Sequence, residues 1–209
     1  MPKPIKSHVS RILAKNDRDQ KIHTALTHAW DCRKDHPGNE TWRRKTTRAH
    51  IVWEAGVDKL VELLADDPGV RVVEHHDTVS FVFDDAVLLR LKKADIALRS
   101  SNIHTALSEL FDNHETDLFG YQGLQRVEAC YVLNAFETKM LWCGIVARDQ
   151  GTRLWCIELG VEKEEIAAEG KILEFPKPER ESTAALAKLR DRDATSQKKK
   201  DAKDMPDGE

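Results

Sequence analysis

The amino-acid sequence predicts an α+β fold, on three observations. Apolar residues recur at helical spacing through the first third of the chain. From Val70 the period changes abruptly from 3.6 to two. The strands then come in blocks of three instead of alternating with helices, the pattern of α+β and not of α/β proteins.

The elements follow in order. A short helix is expected after Ser7, which would cap it, with Val9, Ile12 and Leu13 facing inward. A second carries Ile22, Ala25, Leu26, Ala29 and Trp30 and breaks at His36-Pro37-Gly38-Asn39. The clearest helix places Ala49, Val52, Trp53, Val57, Leu60, Val61 and Leu64 on one wide apolar stripe, which must pack against something. Asp66-Asp67-Pro68-Gly69 stops it. A three-strand antiparallel meander follows, carried by Val70 to Val73, Val79 to Phe83 and Val87 to Leu91, with Asp84-Asp85 as the tight connection between the last two. Ile103 to Phe111 reads as a short helix. Val127 to Leu133, Leu141 to Ala147 and Leu154 to Ile157 form a second three-strand block, and its outward residues, Glu128, Val132 and Trp142, are expected to be exposed and available to a partner. Lys171 to Pro176 reads as a last ordered element. Beyond it, few apolar residues and no aromatic one remain to offset the cost of ordering the chain. The expected organisation is a basic N-terminal helical region over 1–45, an α+β core over 46–176 and a disordered charged tail over 177–209.

Composition narrows the class. The chain has 209 residues, 40% of them hydrophobic, enough for one core. No apolar run approaches the roughly 20 residues of a membrane helix, and the start lacks a signal-peptide stretch, so the expectation is a cytoplasmic protein without a membrane partner. Cys32, Cys130, Cys143 and Cys156 show no metal-ligand spacing and read as reduced thiols. His75-His76-Asp77 reads as a surface turn, since adjacent histidines on a strand point to opposite sides. Glycine-rich phosphate loops and nucleophile-elbow motifs are absent from the sequence. No cofactor is expected. The net charge of −3 hides an asymmetry: residues 1–50 hold twelve Lys and Arg against five Asp and Glu, and residues 51–160 hold ten against eighteen. A basic front on an acidic body suits a polyanion or an acidic protein partner, and the same asymmetry also suits two halves that neutralise each other within the fold.

The order helix, strand, strand, strand, helix, strand over residues 46–134 resembles the core of the PD-(D/E)xK nuclease superfamily. Carried over by position, the resemblance puts a carboxylate at Glu54 on the helix, another at Asp84 or Asp85 after the second strand, and a lysine at Lys92 on the third. It implies Mg²⁺ held by carboxylates and a lysine that activates the attacking water. The chain departs from the pattern at Arg90, which stands where the second metal-binding carboxylate belongs and would repel the cation. The residues Arg90-Leu-Lys92-Lys93, Ser101-Asn102-Ile-His-Thr105, Gly120-Tyr121 and Leu154-Trp155 also look like uncharacterised bacterial proteins carried near mobile-element and toxin–antitoxin genes. That likeness implies a regulator that binds a partner and turns over no substrate.

Two basic sets remain. Arg43, Arg44, Lys45 and Arg48 sit at the start of the long helix, beside Trp42. Lys92, Lys93, Arg99 and Asn102 surround the loop after the third strand. Both lie near helix starts, where free N–H groups favour phosphate. The leading expectation is therefore a non-enzymatic binding or regulatory protein of a bacterial or phage-like cell. It would contact nucleic acid or an acidic protein partner through these residues, in the manner of a regulator or antitoxin. A metal-dependent nuclease is the alternative.

Overall fold

The computed structural model describes residues 3–75, 78–100, 106–114 and 123–161. Helix α1 spans Lys6–Leu13, α2 Arg18–Asp35 and α3 Lys45–Leu64. Ser7 lies inside α1. Ile5 occupies the cap and makes no side-chain capping bond, so the expected serine cap is corrected. Asn16 and Asp17, both at positive φ (51° and 54°), turn the chain from α1 into α2, a conformation short polar side chains tolerate. The buried side of the three helices carries Val9, Ile12, Leu13, Ile22, Leu26, Val52, Val57 and Leu60, as the periodicity requires.

Strands β1 (Val70–His75), β2 (Thr78–Phe83) and β3 (Val87–Ala94) form the expected antiparallel meander. Asp84 and Asp85, at φ 49° and 48°, make the tight turn, closed by the Ala86 N–H donating to the Phe83 carbonyl. Strands β4 (Gln125–Leu133), β5 (Met140–Asp149) and β6 (Thr152–Glu158) form the second block. One parallel pairing, β3 with β4 from Val87↔Gln125 to Ala94↔Val132, joins the blocks into a six-stranded mixed sheet in chain order. The crossover between those strands contains α4 (Ala106–Asp112). Strands β2 and β3 pair from Phe81↔Leu89 to Phe83↔Val87, so in the far half of β3, Lys92 and Lys93 pair with β4, and Ala94 also bridges to Ser100.

The sheet's two faces have different covers. Phe81, Phe83, Leu89, Leu91, Val127, Ala129, Tyr131 and Ile145 pack with α1, α2 and α3 in one core. The front helices thus share one core with the sheet, inside a compact unit of residues 1–162. Gly56 allows the close approach of α3, since a β-carbon there would stand 2.9 Å from Leu91 Cδ2. On the opposite face, Phe111 of α4 packs with Val82, Leu88 and Leu124, and Leu98 packs with Cys130, Val132 and Val146. Glu128 and Val132 are consequently buried, at 1% and 3% exposure, which corrects their reading as a free docking face. Cys130 and Cys143 are buried free thiols and Cys32 an exposed one. No described helix is long and apolar enough to cross a membrane. The expected last element at Lys171–Pro176 and the tail over 177–209 lie outside the described residues.

Candidate functional site: an aromatic and basic cleft

The break at His36-Pro37-Gly38 and the hairpin between β4 and β5 build one site. After α2 the chain turns through Asn39 to Thr41, with the Thr41 N–H and hydroxyl both donating to the Gly38 carbonyl. Trp42 follows, its ring 4.5 Å from that of His36, and α3 starts at Lys45. Opposite lies the hairpin tip. Asn134 organises it: its side-chain oxygen accepts from the Thr138 and Lys139 N–H groups at 2.8 and 3.1 Å, and its amide donates to the Thr138 hydroxyl. Glu137 takes a positive φ of 54°. This geometry sends neighbouring side chains in opposite directions. Phe136 stands 86% exposed, and Glu137 is buried at 7%.

Three cations meet the Glu137 side. Arg48 Nε donates to Oε2 at 2.7 Å, and Lys93 Nζ donates to Oε1 at 2.6 Å. Arg33 donates through Nη1 to the Glu137 backbone carbonyl at 2.7 Å and holds Nη2 3.9 Å from Oε2. Burial alone would raise the Glu137 carboxyl, but the Lys93 and Arg48 hydrogen bonds outweigh it and hold the group below the usual glutamate range. Burial pushes the Arg33 guanidinium down from its ordinary value, against the pull of Glu137. Its plane lies over the Trp30 ring, 4.7 Å from the centroid. Arg48 also donates from Nη1 to the Trp42 carbonyl at 2.7 Å, which ties α3 to the preceding turn.

These groups line an open cleft of about 400 Å³, with Trp30, Arg33, Asn39, Trp42, Arg48, Phe136 and Glu137 in its wall. Two buried side-chain polar atoms among the described residues lack any hydrogen-bond partner: the donor Arg33 Nε and the acceptor Asn39 Oδ1. Both residues belong to this cleft. Buried orphans of this kind carry a free-energy cost, and here two fall on residues of one wall. Arg43, Arg44 and Lys45 are exposed at its edge.

The sequence candidates divide accordingly. Arg48 of the first basic set and Lys93 of the second meet on one carboxylate, a convergence across 44 residues of chain from Lys93 to Glu137. Lys92 points to the opposite face, as its neighbour on a strand must. There burial, reinforced by Arg90, pushes its amine down from its ordinary value. Arg99 is exposed and paired with Asp95 at 2.8 Å in a separate turn. Asn102 lies outside the described residues. The second basic set is therefore split between two faces of the sheet.

Glu54, Asp84 and Lys92 are not brought together. Glu54 is exposed on α3 and lines a groove with Val72, Glu74 and Val79. Asp84 lies five residues along β2 from Val79, about 17 Å of strand. Its carboxylate is taken by Lys15 at 2.6 Å and Arg18 at 2.9 Å, with the Arg18 hydrogen bond the main force holding it below its ordinary value. Asp85 pairs with Arg71. Lys92 faces away from α3. Arg90, the residue that broke the nuclease pattern, instead donates to Glu128 Oε1 at 2.7 Å in a buried network with Arg148 and Ser100. Among the described residues no group of three His, Cys, Asp or Glu is placed to hold a metal ion.

Sequence reasoning missed Arg33, Asn39, Phe136 and Glu137. Their signal was an aromatic residue inside a polar hairpin turn, Asn134-Ala-Phe136-Glu137-Thr138, where nothing in a hairpin requires one. Comparison of the chain with family models, with curated proteins and with solved structures returns no match.

Proposed function

We propose that the protein is a non-enzymatic binding and regulatory protein that contacts nucleic acid through the Trp42–Phe136 cleft and the adjoining Arg43, Arg44 and Lys45. One observation carries the reading: Arg33, Arg48 and Lys93 converge on a single carboxylate, Glu137, beside two accessible aromatic rings. The site therefore keeps a positive excess where rings are available for stacking. This is the combination that binds a phosphate backbone and its bases. The exposed cations at the edge extend it.

A role as a regulator or antitoxin-type component of a bacterial or phage-like cell fits a surface that offers cations and accessible rings together. Fluorescence anisotropy with labelled DNA and RNA over a series of salt concentrations tests the reading. Affinity should fall steeply and linearly on a log–log plot as phosphate contacts release counterions. Salt-insensitive binding, or none to either nucleic acid, would reject it and leave an acidic protein partner for the same surface.

A further inference from the structure

We infer that the cleft takes one unstacked base of a single strand and does not read a duplex. The inference rests on the nucleic-acid reading above and specifies its ligand.

The argument starts from Phe136. Asn134 fixes the hairpin tip by three side-chain hydrogen bonds, so the ring stands in solvent by construction and not through a loose loop. Trp42 lies half-buried across the same opening. Two ring surfaces facing one opening of about 400 Å³ suit a flat heterocycle, at the small end of ligand-site volumes. The unpartnered donor Arg33 Nε and acceptor Asn39 Oδ1 belong to the same wall. Both atoms are closed to solvent, so a ligand reaches them only when their side chains turn toward the opening; a nucleobase edge carries the acceptor and the donor that would then complement them. Asn39 sits in the turn after α2, where its backbone N–H donates to the His36 carbonyl at 2.9 Å, and its side-chain amide makes a long 3.3 Å bond to the Lys34 carbonyl that a side-chain rotation would give up at little cost. Arg43, Arg44 and Lys45 lie outside the opening, where the phosphates of a strand with one base turned inward would run. Bases in a duplex are stacked on each other and offer no ring face, whereas single strands are recognised by such stacking.

The test uses the full-length chain with three probes: a labelled oligodeoxythymidine, its duplex with oligodeoxyadenosine, and heparin as a polyanion without bases. The expected result is single-strand affinity about tenfold above duplex affinity, with quenching of tryptophan fluorescence by the single strand alone. Phe136→Ala should bring the single-strand to duplex ratio close to one. Its ring lies in solvent, so its unfolding midpoint should match the parent's and loss of fold cannot explain the result. Equal affinity for both forms in the parent, or a ratio unmoved by Phe136→Ala, would overturn the inference while leaving polyanion binding intact. Failure to bind all three probes would overturn both the inference and the reading beneath it.

Discussion

Glu137 concentrates the opposing demands on the site. It holds a positive φ and sits buried among Arg33, Arg48 and Lys93, so its carboxylate both stabilises the fold and cancels part of the charge offered to a ligand. Glu137→Gln separates the two effects. Removing the carboxylate leaves mutually repelling cations and should lower stability by about 2 kcal/mol, discounted because Arg48 and Lys93 are partly solvated. The same change should strengthen polyanion binding and steepen its salt dependence. Thermal unfolding and anisotropy on one preparation check the pair of outcomes. A loss of both stability and affinity would mean that Glu137 serves only the fold. At this scale the sequence was a poor guide to which cations are free. Arg18, Arg33 and Arg48 stand in the same basic front as Arg43 and Arg44, but Arg18 is neutralised by Asp67 and Asp84, while Arg33 and Arg48 share the one carboxylate of Glu137 with Lys93. Local pattern holds no trace of a partner some fifty to a hundred residues away.

Between elements, the legible part was whatever a local period reports. The α3 stripe and the meander were readable because each has one face on the core. The parallel β3–β4 pairing was not, since it joins residues 38 apart and leaves no turn signature. Central strands also lose their alternation once both faces are covered. Eight of the nine residues of β4 are buried, so Glu128 looked like an outward polar residue when it is the hub of a buried network. Burial would raise its carboxyl, but Arg90, Ser100 and Arg148 outweigh that and hold it low. Arg90 and Glu128 are direct register partners, so this pair fixes the alignment of the two blocks. Glu128→Gln should cost about 3–5 kcal/mol in denaturant unfolding, because it leaves the buried Arg148 without its carboxylate and Arg90 with Asp112 alone, 3.9 Å away. A loss below about 1 kcal/mol would show that the pairing holds without it.

Across the whole molecule, the basic front and acidic body are partly each other's partners and partly a free surface. Arg18 bonds Asp67 at 2.7 and 2.9 Å with both side chains 1% exposed, locking the front helices to the end of α3. The Arg18 hydrogen bond holds the Asp67 carboxyl far below its ordinary value of 3.8. Burial pushes the His114 imidazole below 6.5, while it raises Asp112 and so offsets part of the carboxylate effect. For Asp67, Glu128, Glu137 and His114 the folded form binds its proton less readily than the unfolded chain does. Their stabilisation is therefore present at neutral pH and lost on acidification. Stability should begin to fall below about pH 6.5 through His114 and drop more steeply below about pH 4.5 through the carboxylates. Asp67→Asn should cost about 3 kcal/mol at neutral pH and flatten the acid limb, as read by thermal unfolding across pH. A melting temperature that rises on acidification would contradict the assignment.

The central claim is that the surface around α3's first turn binds nucleic acid. Its most direct test is the salt dependence of single-strand affinity for the parent chain and for the triple variant Arg43→Ala, Arg44→Ala, Lys45→Ala. All three side chains are exposed and form no ion pair among the described residues, so the fold should be unaffected. The account predicts a large loss of affinity at low salt and a slope shallower by about two to three charges. An unchanged affinity and slope, with the variant's melting temperature equal to the parent's, would contradict it.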